Sequence, residues 1–147
     1  MKLGPLTTES IDYVFDNLSE RSVKDFVDAG VSEKAAKERW HELEGAPFTG
    51  TVWDKDEAVA LLSLIPRGFM TWKASVVMIA GGWERVSLPL TRFFALFTTD
   101  FVDRTHGTVI GFSSEGKGKI FDWYRTLGFR CDGEQASGLY RYSKRPR

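Results

Sequence analysis

Residues 122–130 read DWYRTLGFR, and their reading decides how the rest of the chain is organised. Ile120, Trp123, Tyr124 and Leu127 recur at the spacing of one α-helical face. Gly128 follows where a left-handed C-terminal residue is wanted, because glycine lacks the Cβ that makes this conformation costly. In such an ending the residue after the glycine packs back on the side chain five earlier, here Phe129 on Tyr124. The spacing predicts a helix that begins after GKGK (116–119), stops at Gly128 and buries its aromatic side.

Immediately upstream, GTVIGF (107–112) is a short strand. Before it a helical period runs from Ser87 through Leu90, Phe93, Phe94, Phe97 and Phe101, about four turns. Ser87 reads as its N-cap and Pro89 as a first-turn residue. A strand, a crossover helix and a second strand form a right-handed unit with parallel strands. The two strands, in FMTWKASVVMI and GTVIGF, are expected side by side. Downstream, FRCDG and GLYRYSK around GEQASG predict a closing hairpin.

Further upstream, FTGTVW, AVALLSLI and FMTWKASVVMI are rich in branched and aromatic residues, with DKDE and PRG as links. They read as an antiparallel meander, its middle strand covered on both faces. The first third is helical after a short strand at residues 2–6. Ile11, Val14, Phe15 and Leu18 share one helix face; Val23, Phe26 and Val27 share another that Gly30 ends; Ser32 caps a third, with Ala36, Trp40 and Leu43. The fold class expected is α+β: a mixed sheet of an antiparallel meander plus a parallel βαβ unit, with helices on both faces.

The totals narrow the function classes. With 147 residues, 42% of them hydrophobic, the chain suits one domain spanning 1–147. Twenty basic and twenty acidic residues cancel, removing the long-range attraction that nucleic-acid binding or an anionic membrane surface relies on. The tail KRPR reads as a solvated end. The single cysteine, Cys131, has no disulfide partner, and with two distant histidines it offers no zinc spacing. His41, beside Trp40, and His106 are candidate bases, but His106 at a helix C-terminus is explained by the helix dipole. No apolar window spans a bilayer, and the expected compartment is a reducing cytoplasm.

The segment WYRTLGF (123–129), in this order of elements, resembles the F-Y-x-x-x-G-F segment near the C-terminus of the GCN5-related N-acetyltransferases (GNAT). The layout resembles that family over nearly the whole chain, the motif over residues 108–129. Small bacteriophage-encoded members of the family resemble it in size and in a poor glycine loop. The resemblance implies acetyl-CoA as cofactor and an amine, on a small molecule or a protein, as acceptor. It implies Tyr124 as the acid that protonates the departing thiolate, and a cofactor platform along the strand that carries Val77, Met78 and Ile79, in an opening where two parallel strands, here residues 74–79 and 107–112, part at one end.

The family's glycine motif, Gln or Arg followed by x-x-G-x-G/A, wraps a pyrophosphate at a helix start. Here the stretch is IAGGWERVSLPLTR (79–92), so Gly81 and Gly82 are expected to precede Trp83 without flanking the helix. Pro89 is expected to delete one first-turn donor there. Arg85 is the candidate compensating cation or a solvated loop charge, Ser87 the candidate helix-start contact, and Ser113 and Ser114 stand where the family has an asparagine or else cap the helix that follows. GKGK reads either as a phosphate cradle or as a plain helix start. The strand lacks a carboxylate, leaving Glu84 as candidate base or as a surface charge. Two functions follow: an N-acetyltransferase, or a member with reduced chemistry serving a binding or structural role, for example in a virion. Trp53 and Trp72 are candidate contacts of a homo-oligomer.

Overall fold

A computed structural model describes residues 1–147. The strands are β1 (Lys2–Gly4), β2 (Thr49–Asp54), β3 (Glu57–Gly68), β4 (Thr71–Met78), β5 (Thr108–Ser113), β6 (Arg130–Glu134) and β7 (Tyr140–Lys144). The helices are α1 (Thr8–Asp16), α2 (Glu20–Asp28), α3 (Glu33–Glu42), α4 (Gly82–Thr105) and α5 (Lys119–Thr126). The strands form one seven-stranded sheet in the order β1-β2-β3-β4-β5-β7-β6. Its β4–β5 pair is parallel, which is the mixed sheet expected from the crossover. The chain falls into two compact units, Met1–Leu64 with Ser75–Ser87, and Ile65–Ala74 with Leu88–Arg147.

In the first unit, α1 opens on a reciprocal capping box between Thr7 and Ser10. Ser19 and Ser32 cap α2 and α3 by accepting the backbone N–H groups of Ser22 and Ala35. Ile11, Val14, Val52, Val59, Ala60 and Leu61 are fully buried. Consecutive burial along Val59, Ala60 and Leu61 confirms a strand covered on both faces. Two sequence expectations fail here. Val27 is 70% exposed, because α2 has only nine residues and its buried side chain is Ser22. Leu18 lies beyond α1 and forms an antiparallel bridge with Ile79.

His41 ties α3 to α1. Its Nε2 lies 2.9 Å from Asp12 Oδ1 and its Nδ1 lies 3.0 Å from Glu44 Oε2. The Glu44 carboxylate, with Asp12 second, holds the imidazole pKa above its ordinary value. The Thr8 hydroxyl donates to Glu44 and Lys37 pairs with Asp12, so the join is a small charged network.

The second unit is built on aromatic rings. Phe93, Phe97 and Phe101 stack along α4, and Trp72 meets Phe101 edge-on at 5.0 Å. The Trp123 indole N–H donates to Thr91 Oγ1 across 2.8 Å, and its ring meets Phe94 edge-on. These contacts join α4 to α5. Lys144, only 8% exposed, reaches under both helices, donating to Thr98 Oγ1, Thr99 Oγ1 and the Leu127 carbonyl at 3.0, 2.7 and 2.7 Å. Desolvation lowers its pKa from the ordinary lysine value. The meander link PRG is not a turn: β3 runs through Pro66 to Gly68, and the reversal falls at Phe69 and Met70.

Helix α4 departs most from its expected form. It starts at Gly82, so Ser87 is no N-cap and Pro89 lies in the helix interior. Serine followed two residues later by proline is a start signal. However, Val86 and Leu90, four apart, are 1% and 0% exposed, so the buried stripe extends upstream of Ser87. Burying such side chains stabilises by roughly 1.5–3 kcal/mol each, enough to offset about 3 kcal/mol for an internal proline.

Candidate functional site

The aromatic end of α5 forms as the sequence requires. Gly128 has φ +89°, its N–H donates to the Arg125 carbonyl, and Phe129 N–H donates to the Tyr124 carbonyl. This is the paired bonding of a Schellman ending, and the Phe129 ring lies edge-on to Tyr124 at 5.3 Å. Tyr124 also stacks on Tyr142, centroids 4.0 Å apart and planes 11° from parallel. Tyr142 donates its hydroxyl to the Glu115 carbonyl, and burial pushes its pKa up to about 12. Tyr142 is therefore a fixed platform.

That platform aims Tyr124 at β5. A Cβ at Gly111 would lie 2.6 Å from the Tyr124 hydroxyl oxygen, so glycine is required for the close approach. The parallel β4–β5 ladder pairs Thr71 with Thr108, Trp72 with Val109 and Lys73 with Ile110. Both strands run on past those pairs, β4 to Met78 and β5 to Ser113. Gly111 is the first β5 residue beyond the ladder, and the Tyr124 hydroxyl sits over it.

At the end of β5, Ser113 Oγ accepts the Glu115 N–H at 3.2 Å. It closes a turn and does not cap α5, whose N-cap is Gly118 with no side-chain bond. Ser114 Oγ is buried without a hydrogen-bond partner. Gly116 is packed against the Tyr140 ring, where a Cβ would lie 2.3 Å away. Packing explains that glycine of GKGK, and backbone geometry explains Gly118, at φ +78°.

The remaining candidates belong to the first unit. Gly81 and Gly82 do flank the start of α4, contrary to the expectation from sequence. Gly81 adopts φ +74°, and a Cβ on Gly82 would come 3.0 Å from the Val59 carbonyl. Gly82 N–H donates to the Ile79 carbonyl. The next N–H groups, of Trp83, Glu84 and Arg85, are first-turn donors, and none is lost to Pro89. Glu84 is exposed in that turn, where its carboxylate complements the helix dipole and opposes a second anion. Ser87 is in the second turn.

Arg85 is engaged. Its Nε lies 2.7 Å from Asp54 Oδ2 and its Nη1 pairs with Glu57, which also accepts the Tyr13 hydroxyl. Those carboxylates, Glu57 first, raise the Arg85 pKa further. Backbone groups of β4 are partly engaged as well. Met78 N–H donates to Ser22 Oγ and Met78 C=O accepts Ser19 N–H, while Ile79 N–H donates to Val59 C=O of β3. By the two-residue alternation of a strand, Val76 shares the β4 edge used by Met78, and Val77 shares the edge facing β3. Val76 was not singled out from sequence, since edge polarity is invisible until the strand's neighbours are known.

No protein-family model matches this sequence, and no curated protein is similar to it. Solved structures are similar in fold. An aminoglycoside 6′-acetyltransferase type Ii superposes with a TM-score of 0.67 at 18% identity, covering 100% of this chain and 99% of that one. A spermidine N-acetyltransferase mutant from Vibrio cholerae gives 0.64 at 12%, covering 99% and 95%. A PaiA N-acetyltransferase from Thermoplasma acidophilum, in complex with coenzyme A, gives 0.66 at 9%, covering 98% of each chain. At these identities the likeness concerns the fold, which is that of the GNAT acetyltransferases.

Proposed function

We propose that this chain is an acetyl-CoA-dependent N-acetyltransferase acting on an amine, with residues 1–147 working as one domain and Tyr124 as its acid. The observation that carries this reading is the Tyr124 hydroxyl over Gly111, one residue past the last parallel β4–β5 pair. Acetyl-CoA supplies an activated acyl group and a thiolate leaving group. The chain's part is to hold it, to orient the amine and to deliver a proton from Tyr124 Oη. A phenol is protonated at neutral pH, as an acid for a thiolate must be.

The residues present fit a cofactor with amide and diphosphate groups. Val76 offers an N–H and a C=O on a strand edge beyond the ladder, the arrangement that lets an extended amide chain add alongside a strand. Gly81 and Gly82 bring the chain sharply into α4, and the first-turn N–H groups there suit a diphosphate. Ser114 Oγ, buried without a partner, is a further donor for the cofactor or its water. Ser113 supports the turn that holds it. Glu84 is the candidate base, acting through water on the acceptor's ammonium.

A second reading, in which acyl transfer is reduced and the protein serves a binding or structural role, is favoured by two observations. Arg85 is held by Asp54 and Glu57, and the Met78 amide is held by Ser22. In this reading the chain is phage-encoded and part of a virion; in the first it acts in the cytoplasm. Calorimetry with acetyl-CoA up to high micromolar concentration tests both. A saturable heat, with thiol release on adding an amine, supports the enzyme; absence of heat removes it.

A further inference from the structure

The second unit carries an unassigned surface on the sheet face turned away from α4 and α5. Its orientation follows from contacts and register. Gly111 faces Tyr124 of α5, and Lys144 donates to residues of α4 and α5, so Gly111, Tyr142 and Lys144 mark the helix side. Successive strand residues alternate. Ile110 and Phe112 therefore face the other way, and so do their cross-strand partners Ser143 and Arg141. Lys73, paired with Ile110, joins them, its Nζ 5.6 Å from the Phe112 ring centre. Arg130, opposite Ser143, also lies on this face.

The chemistry of this face is one-sided. Lys73, Arg130 and Arg141 supply three cations, and Asp132 supplies one carboxylate, which lies 3.1 Å from Arg130 Nε and 3.6 Å from Arg141 Nε. The second distance is an ion pair too long for a hydrogen bond. Arg141 Nε and Ser143 Oγ are thus both buried polar atoms without a hydrogen-bond partner, and Ser143 is 2% exposed. A buried donor without an acceptor is costly, and Arg141 Nε meets the Asp132 carboxylate only beyond hydrogen-bond distance, so the pairing of these two groups on one face requires a reason. Phe112 lies directly across from Arg141 and one residue past Gly111, so this face lies on the other side of β5 from the Tyr124 hydroxyl, at the first residues beyond the parallel ladder.

We infer that the acceptor is a small primary amine bearing its own acidic group, a carboxylate or a phosphate, which Arg141 and Ser143 bind on this face beside Phe112, with Lys73 adding attraction. The inference rests on the acetyltransferase reading and adds the class of acceptor. Arginine's planar fork suits either anion, and the Phe112 ring gives the carbon skeleton an apolar support. A polycationic amine would meet like charge here and leave the same donors unpaired.

The test has two parts. Calorimetry of the wild-type chain with acetyl-CoA alone asks whether the acetyltransferase reading stands. Thiol release is then followed with L-glutamate and phosphoethanolamine as acidic amines, tyramine as a neutral one and spermidine as a polycation. Preference for an acidic amine is expected, with the glutamate and phosphoethanolamine arms separating carboxylate from phosphate. Arg141→Gln is expected to raise KM for the preferred acidic amine on the order of ten- to a hundredfold, the range for a lost charged hydrogen bond. Its acetyl-CoA affinity is expected to match wild type, and Arg141→Lys is expected to recover part of the loss. If Arg141→Gln melts early, Ser143→Ala gives the same readout without removing a long side chain. Acetyl-CoA binding together with a preference for spermidine, equal use of all four amines, or use of neither acidic amine overturns the inference and leaves the acetyltransferase reading standing.

Discussion

Two helix ends carry candidate residues, and they are built on different principles. The C-terminus of α5 is a packing structure: Tyr124 is held between Tyr142 and Phe129, with Gly128 in a left-handed conformation closing the turn. The N-terminus of α4 is a backbone structure. Two glycines make the entry, the residue before the helix, Gly81, has no side chain to cap it, and the nearby arginine is tied to Asp54 and Glu57. Aromatic packing fixes the position of a reacting group to within a fraction of an ångström. A glycine entry supplies donors but no charge. The proposed acid is therefore the preorganised part of the site, and the proposed diphosphate contact is the weaker part.

The largest expected effect breaks the contrast at the aromatic end. Tyr124→Phe keeps the ring stack and removes the proton, so turnover is expected to fall roughly 10²- to 10⁴-fold, the span of a lost general acid, with melting temperature little changed. Steady-state kinetics beside a thermal melt checks this, and unchanged turnover would take Tyr124 out of its role. At the other end, Gly82→Ala places a Cβ 3.0 Å from the Val59 carbonyl and 3.3 Å from Ile79 Cγ1. The cost in stability is expected to be about 1–3 kcal/mol, with acetyl-CoA affinity falling as the helix entry shifts. Denaturant unfolding and calorimetry together measure both effects.

Gly128→Ala sharpens the comparison with a smaller change. At φ +89° an alanine is strained, and its Cβ would lie 3.3 Å from Lys144 Cε. A loss of roughly 1–2 kcal/mol is expected, read from chemical denaturation. Turnover should fall with it if the ending of α5 sets the angle of Tyr124.

The smallest expected effect lies away from both ends, at His41. Its folded pKa is raised above the unfolded value near 6.5 by Glu44 and Asp12, so its stabilisation is complete below about pH 6.5 and fades as pH rises through the raised value. His41→Gln is expected to flatten that part of the stability profile. A wild-type profile already flat between pH 6 and 8 would show that the network adds nothing measurable.

The order of elements was legible because each was announced by its own period or cap. Ser32 marks one helix start, Gly30 and Gly128 mark helix ends, and the branched and aromatic residues of 49–78 mark the meander. The start of α4 was misread for an equally local reason. Ser87 with Pro89 imitates an N-terminus, while the true start depends on Val86 finding a buried place that no sequence window displays. Arg85 was read as a cofactor contact because nothing in the sequence joins it to Asp54 and Glu57, 31 and 28 residues away.

By itself the sequence determined which segments are helix or strand, the Schellman ending at Gly128 and the ring of Tyr124 as the group to watch, since periodicity, capping and glycine stereochemistry act over a few residues. Tertiary structure alone decided where the parallel ladder stops, that Gly111 yields its space to the Tyr124 hydroxyl, that Arg85 is held by two carboxylates, and that the face shared by Arg141 and Ser143 is the one turned away from α4 and α5. Those outcomes depend on strand register and on contacts between residues far apart in the chain, where a shift of a single residue turns every side chain to the opposite face.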